Sequence, residues 1–189
     1  MLDLAASGQL TRKKSKGTFV AAPKIEARFF ARLQSFHEEM NQKGFEPSTQ
    51  VLNLEIVKKK ANIAEKLHLP LKSEFIMLER LRFADSEPVV YLQTFIPHTG
   101  YEILMNIDFT INSLYEVMEQ KCHVRVHRVV REIEAVNTTR REAELLGLSH
   151  LSAICLVKTT AYTENDIPVE YSIARYRGDR NKFIIGLMR

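Results

Sequence analysis

Two hydrophobic periods alternate along this chain, and the points where one gives way to the other divide it into elements. The clearest period-two stretch runs from Glu74 to Ala84. Phe75, Met77, Leu81 and Phe83 share one face there with Glu79, while Ile76, Leu78 and Ala84 share the other with Arg80 and Arg82. Such alternation predicts a strand. Val89 to Pro97 is predicted as its hairpin partner across Asp85-Ser86-Glu87-Pro88, and Ala153 to Tyr162 with Pro168 to Tyr176 as a second hairpin around Glu164-Asn165-Asp166-Ile167. The two hairpins echo each other, each with an acidic turn followed by Pro-Val, at Pro88-Val89 and Pro168-Val169. Further strands are predicted at Gln50 to Lys58, Val124 to Val136 and Lys182 to Met188. Helical spacing marks Ser35 to Lys43 (ended by Gly44), Ala61 to Leu67 (stopped before Pro70), Ser113 to Lys121 and Thr138 to Leu146. Antiparallel hairpins with helices on one side make the expected class α+β.

The N-terminal stretch has a different texture. Leu2 to Ser7 reads as the last turns of a helix, with Gly8 at a left-handed cap. Gln9 to Val20 predicts two short strands around the tip Lys13-Lys14-Ser15-Lys16-Gly17, anchored by Leu10 and Phe19. Pro23 interrupts the pattern, so Ala21 to Arg28 reads as a linker. The resulting division is 1–22, a linker at 23–30, and a main domain at 31–189.

Composition narrows the class. In 189 residues, 45% are hydrophobic, enough for a sizeable core. The net charge of +4 permits nucleic acid without requiring it. Cys122 and Cys155 form no CxxC pair and read as reduced thiols. No apolar run approaches the ~20 residues of a membrane span, and Met1-Leu2-Asp3-Leu4 lacks the features of a signal peptide. The expected location is cytoplasmic, with no membrane partner.

Several residues carry chemistry. Arg80 and Arg82 lie ~7 Å apart on one strand face, where their charges repel unless an anion or acid joins them; paired guanidinium groups suit bidentate capture of phosphate or carboxylate. Ser35-Phe36-His37-Glu38 and Ser113-Leu114-Tyr115-Glu116 both fit the S-x-x-E capping box, and helix starts also favour anions. Glu170 and Tyr176 fall on the same side of one strand. His123 and His127, four apart on the strand predicted there, lie too far apart to suggest a metal site, and no cofactor or metal is expected. There is no nucleophile triad and no glycine-rich phosphate loop. The cations Arg12, Lys13, Lys14 and Lys16, with Gly17, gather at the hairpin tip, and such a tip suits the DNA backbone, although a charge run alone is more often a solvated turn.

Longer motifs bring a resemblance. Gly8-Gln9-Leu10-Thr11-Arg12 followed by Lys13 to Val20 resembles the end of the winged helix-turn-helix of GntR-superfamily regulators, a G-x-L-x-R turn into a G-K-G-T-F-V wing, with Ser15 in place of the wing's first glycine. The resemblance implies that the first two helices and most of the recognition helix would precede Met1, and that Arg12, Lys13, Lys14, Lys16 and Gly17 contact DNA. From about Lys24 onward the chain resembles the UTRA effector-binding domain of the HutC subfamily. The matching pieces are Glu79-Arg80-Leu81-Arg82, Glu87-Pro88-Val89 with Phe95-Ile96-Pro97, Ser113-Leu114-Tyr115, Leu146-Gly147-Leu148, and Pro168-Val169-Glu170-Tyr171 running to Arg180.

That family implies a chorismate lyase-like antiparallel sheet flanked by helices, a homodimer, and a small metabolite, favoured to be a sugar phosphate, that controls operator DNA binding through the linker. It implies phosphate contacts from Arg80, Arg82, Ser113 and Tyr115, and contacts to the polar remainder from Glu170 and Tyr176. Ser35 and His37 mark the other helix start, although His37 stands where many members carry a hydroxyl residue. Amino-sugar-phosphate binders carry a glutamate near Leu92 or Gln93, and this chain has no acid between Val89 and Pro97, so another phosphosugar or a different anion is expected. The expectation is a transcription regulator acting as a repressor, and not an enzyme. The alternatives are a chorismate lyase-like enzyme and a stand-alone sensor.

Overall fold

The computed structural model describes residues 10–13, 17–20, 24–27 and 34–186. The helix expected at Leu2 to Ser7 with its Gly8 cap, the tip residues Lys14 and Lys16, Pro23 and the last residues of the chain lie outside them. Ten strands occur among the described residues: β1 (Leu10–Lys13), β2 (Gly17–Val20), β3 (Ile25–Ala27), β4 (Pro47–Val57), β5 (Phe75–Ala84), β6 (Glu87–Pro97), β7 (Arg128–Asn137), β8 (Ala153–Tyr162), β9 (Pro168–Arg177) and β10 (Asn181–Phe183). The helices are α1 (Phe36–Gln42), α2 (Ala61–Lys66), α3 (Leu114–Cys122) and α4 (Arg140–Leu146), with a 3-10 turn at Glu102–Asn106.

Six strands form one antiparallel sheet in the order β4-β5-β6-β9-β8-β7. The two hairpins that echo each other in sequence are β5-β6 and β8-β9. They join through their second strands, with Val90 opposite Tyr176 and Thr94 opposite Ser172, so the two Pro-Val strands form the centre of the sheet.

Helices cover both faces of this sheet, where one covered side was expected. The cause lies in β5, whose two faces are both apolar and so both need burial. On the face of Ile76 and Leu78, α3 contributes Leu114, Val117 and Met118 to a cluster with Ile96, and α1 contributes Met40 to a cluster with Val90, Leu92 and Ala174. On the opposite face, α2 packs Ile63 and Ala64 on Phe75, Phe95 and Tyr171, and α4 packs Leu146 on Leu81 and Tyr91.

Three expectations need correction. The stretch read as a linker contains β3, which pairs in parallel with β10, Ile25 opposite Asn181. Ile25 is buried against Met40, Val90 and Leu92, so an apolar anchor holds this part of the connection on the sheet. The closing strand is shorter than Lys182 to Met188 and ends at Phe183. His123 and His127 do not share a strand: His123 caps α3 in the left-handed region at φ 56, and β7 begins only at Arg128. Near the N-terminus, β1 and β2 pair antiparallel with Leu10 opposite Val20, and they carry Arg12, Lys13 and Gly17.

Candidate functional site

Between α1 and α3 the sheet is left open as a cleft, floored by β5, β6 and β9 and closed at one side by β8 and β7. Strand parity decides what faces it. In β5, Arg80 and Arg82 point into the cleft while Glu79 and Leu81 point away. In β9, Glu170, Ser172, Ala174 and Tyr176 point in. Arg80, Arg82, Ser113, Tyr115, Glu170, Tyr176, Ser35 and His37, singled out from the sequence on separate elements, all stand on the wall of this one cleft.

The two guanidinium groups dominate its electrostatics. The Nε of Arg80 and the Nε of Arg82 are buried without a hydrogen-bond partner, as is the hydroxyl of Thr94. Aromatic faces give partial compensation: Arg80 lies 6.0 Å from the ring centroid of Phe109, and Arg82 lies 5.0 Å from that of Phe36. Burial first, and the charge of Arg82 second, push the Arg80 pKa well below its usual value. Burial likewise pushes Arg82 down. A guanidinium keeps its proton in proteins, so the cost stands as an unmet demand for a counter-anion.

Opposite the arginines is Glu170, only 2% exposed. Burial raises its pKa, against the opposing pull of Ser172, Tyr115, Arg80 and Arg131. The Tyr115 hydroxyl donates to Glu170 Oε2 at 3.0 Å, which ties α3 to β9 across the cleft. Burial pushes the Tyr115 pKa well up, and that of Tyr176 to about 12. Tyr176 meets Phe183 of β10 edge-on, with centroids 5.2 Å apart. His37, in the first turn of α1, has its pKa lowered by burial, then by Arg82 and Arg80, against a smaller upward pull from Glu116.

The two helix starts differ. Ser35 forms the full capping box, its hydroxyl accepting from the Glu38 amide at 3.2 Å and its amide donating to Glu38 Oε2 at 3.0 Å. Ser113 makes no side-chain cap bond, which corrects the second capping box. Ser113 lines the cleft, and Glu116 acts electrostatically on His37.

Sequence reading missed one row of the floor. Thr94 lies opposite Ser172, Ser172 opposite Thr159, and Thr159 opposite Arg131, so three hydroxyls and a third arginine cross four adjacent strands. The alternation within each strand signals their faces, but only the register aligns them. Leu92, the residue standing near the glutamate of amino-sugar-phosphate binders, lies on this floor and is buried. The turn Arg177 to Arg180 forms an internal ion cluster, with Arg177 bonded to Asp179 at 2.7 Å and to Glu87 at 3.0 Å.

Residues 42–182 match the UTRA domain family. The HTH-type transcriptional repressor NagR of Bacillus subtilis (strain 168) is 29% identical over 184 residues, which is 96% of this chain and 74% of that protein. The "Probable fructoselysine utilization operon transcriptional repressor" of Escherichia coli (strain K12) is 29% identical over 178 residues, 94% of this chain and 72% of its own. Among solved structures, PhnF from Mycobacterium smegmatis superposes with a TM-score of 0.83 at 24% identity, over 99% of this chain and 81% of that one; at that identity the likeness speaks to the fold.

Proposed function

The chain belongs to the UTRA domain family of GntR-type transcription regulators, and from that premise we propose that its cleft binds a small anionic metabolite, with a sugar phosphate favoured, and so controls operator binding by a repressor. The observation that carries the reading is the pair of buried arginines with unpartnered Nε atoms on the cleft floor. Two like charges two residues apart on a strand cost stability in the empty protein and return it when an anion bridges them. Arg80 and Arg82, with the helix start at Ser113 and Tyr115, hold the anionic group; Glu170 and Tyr176 hold the polar remainder. With Leu92 in the floor, the remainder meets an apolar wall where an acid would favour an amino sugar.

The signal leaves through β10 and β3. Asn181 and Tyr176 border the cleft, Tyr176 packs on Phe183, and β10 pairs with β3, which leads back to the β1-β2 hairpin. That hairpin carries Arg12, Lys13 and Gly17, and these, with Lys14 and Lys16 between them in sequence, contact the phosphate backbone of operator DNA, while two copies of the chain act together as a homodimer. The setting is the cytoplasm, and no helix among the described residues is long and apolar enough to cross a membrane. Named relatives are transcription regulators, and the role is regulatory, not enzymatic.

Thermal unfolding against inorganic phosphate, sulfate and a panel of phosphosugars tests the reading. A ligand at 100 times its Kd adds ~2.7 kcal/mol of stability. Stabilisation by at least one phosphosugar well beyond inorganic phosphate is the expected outcome, and a panel in which no anion shifts the melting temperature overturns it.

A further inference from the structure

His37 lines the same cleft as the two buried arginines. It shares the cleft with Arg80 and Arg82 on β5, and Phe36, whose ring it meets edge-on at 6.1 Å, carries Arg82 5.0 Å from its centroid; after burial, these two cations disfavour an imidazolium. The remaining charged or titratable groups around the cleft are few. From α3 come Glu116, which favours the imidazolium, and Tyr115, whose hydroxyl is committed to Glu170. β9 brings Glu170 and Tyr176, and β7 brings Arg131. On α1 itself, Glu38 is held by the Ser35 cap and Glu39 is paired with Lys43. β4 and β10 contribute Thr49 and Asn181, which are uncharged. The cations that act on His37 are thus the same two arginines whose Nε atoms lack a hydrogen-bond partner.

A dianion bridging Arg80 and Arg82 offsets their two positive charges and leaves Glu116, which favours the imidazolium, unopposed by them. We propose that His37 is a proton-coupled contact of this cleft, taking up a proton when an anion binds and so making effector affinity rise as pH falls. The inference rests on the anion-binding reading above and adds a pH-linked specificity residue to it. A hydroxyl at this position could supply a hydrogen bond but no charge, whereas imidazole titrates near neutrality.

The sign follows from linkage. The bound state holds His37 at a higher pKa than the empty state, so it carries more protons, and affinity increases toward acid between the two values. Below the empty-state pKa, imidazole is charged in both states and the dependence flattens. Above the bound-state pKa it is neutral in both and flattens again. One coupled proton limits the slope to about tenfold in affinity per pH unit.

Sulfate is the probe, because its charge stays fixed through this range while phosphate titrates within it. Calorimetric titration of the whole chain with sulfate, from pH 5.5 to 8, is carried out on wild type and on His37→Gln. Wild-type affinity is expected to rise toward acid, with proton uptake seen as a dependence of the heat on buffer ionisation enthalpy. His37→Gln is expected to lose the slope whatever its affinity at pH 8, which also separates His37 from Glu170 as the titrating group. The imidazole resonance absent from the His37→Gln spectrum should titrate at higher pH with sulfate present than without. Sulfate binding with no slope in wild type, or with equal slopes in both proteins, overturns the role of His37 and leaves the anion cleft standing. No sulfate binding in either protein overturns this inference, and the cleft reading falls with it when no phosphosugar shifts the melting temperature either.

Discussion

At the scale of single residues, the arginine pair separates a binding site from a structural ion pair. Replacing a buried charge that lacks a partner by an apolar side chain of similar length removes a desolvation cost while keeping most of the packing. Arg80→Met and Arg82→Met should therefore leave the melting temperature unchanged or raise it, and should weaken phosphate binding about ten- to a hundred-fold, the equivalent of 1.5–3 kcal/mol for a charge-assisted contact. Calorimetry and thermal unfolding on the same samples check both halves. A fall of several degrees with affinity unchanged would make the pair structural. Much of this site was legible in the sequence, because period-two alternation alone puts Arg80 with Arg82, and Glu170 with Tyr176, on common faces. Two things were not. The Tyr115 hydroxyl is already engaged by Glu170, a contact 55 residues long in sequence, and Arg131 reaches the cleft only because β7 lies in register with β8 at Thr159. Local pattern fixes the face of a side chain, while partners across the sheet depend on strand order.

At the scale of elements, strongly periodic segments fell close to their predicted bounds and weakly signalled ones did not. β8 spans the predicted Ala153 to Tyr162, because its apolar run is bounded by clear turns on both sides. β7 starts at Arg128 and not at Val124, since α3 runs to Cys122 and the left-handed His123 has first to turn the chain. β3 escaped notice because three residues beside a proline carry no period, and its stability comes from Ile25 entering a core cluster assembled by distant elements. The capping boxes show how one motif acquires two outcomes. Thr139, like Ser35, exchanges both cap bonds with the residue three positions on, whereas Ser113 does not. Ser35→Ala and Thr139→Ala should each lower stability by about 1 kcal/mol, the usual loss for a hydroxyl cap. Ser113→Ala should cost clearly less than either, and denaturant unfolding of the three variants measures the ranking. A loss at Ser113 equal to that at Thr139 would mean that its hydroxyl caps α3 after all.

For the whole molecule, the six-stranded sheet leaves two edges, and they are unequal. β4 begins at Pro47 and breaks register with β5 between Val51 and Asn53, and a proline with a bulge discourages pairing along an edge. β7 pairs with β8 through ten residues without a break. Three of its charges pair with partners on the same molecule, Glu132 with Lys66 at 2.8 Å, Glu134 with Lys158, and Arg128 with Asp166 at 2.8 Å. Val130 and Ile133 along it are 46% and 42% exposed. An even edge with laterally neutralised charge and exposed apolar side chains is the one that tolerates a second copy of itself, and antiparallel self-pairing about a two-fold axis satisfies both copies at once. Such a contact would also matter to the cleft, because β7 is the strand that carries Arg131 into it. Light scattering at micromolar concentration should accordingly give a dimer for the wild type. Ile133→Lys, which sets a like charge against its symmetry mate, should shift the population toward monomer while the cleft still binds phosphate. A wild-type monomer would remove the dimer altogether, and a lysine variant that stays fully dimeric would move the interface away from β7.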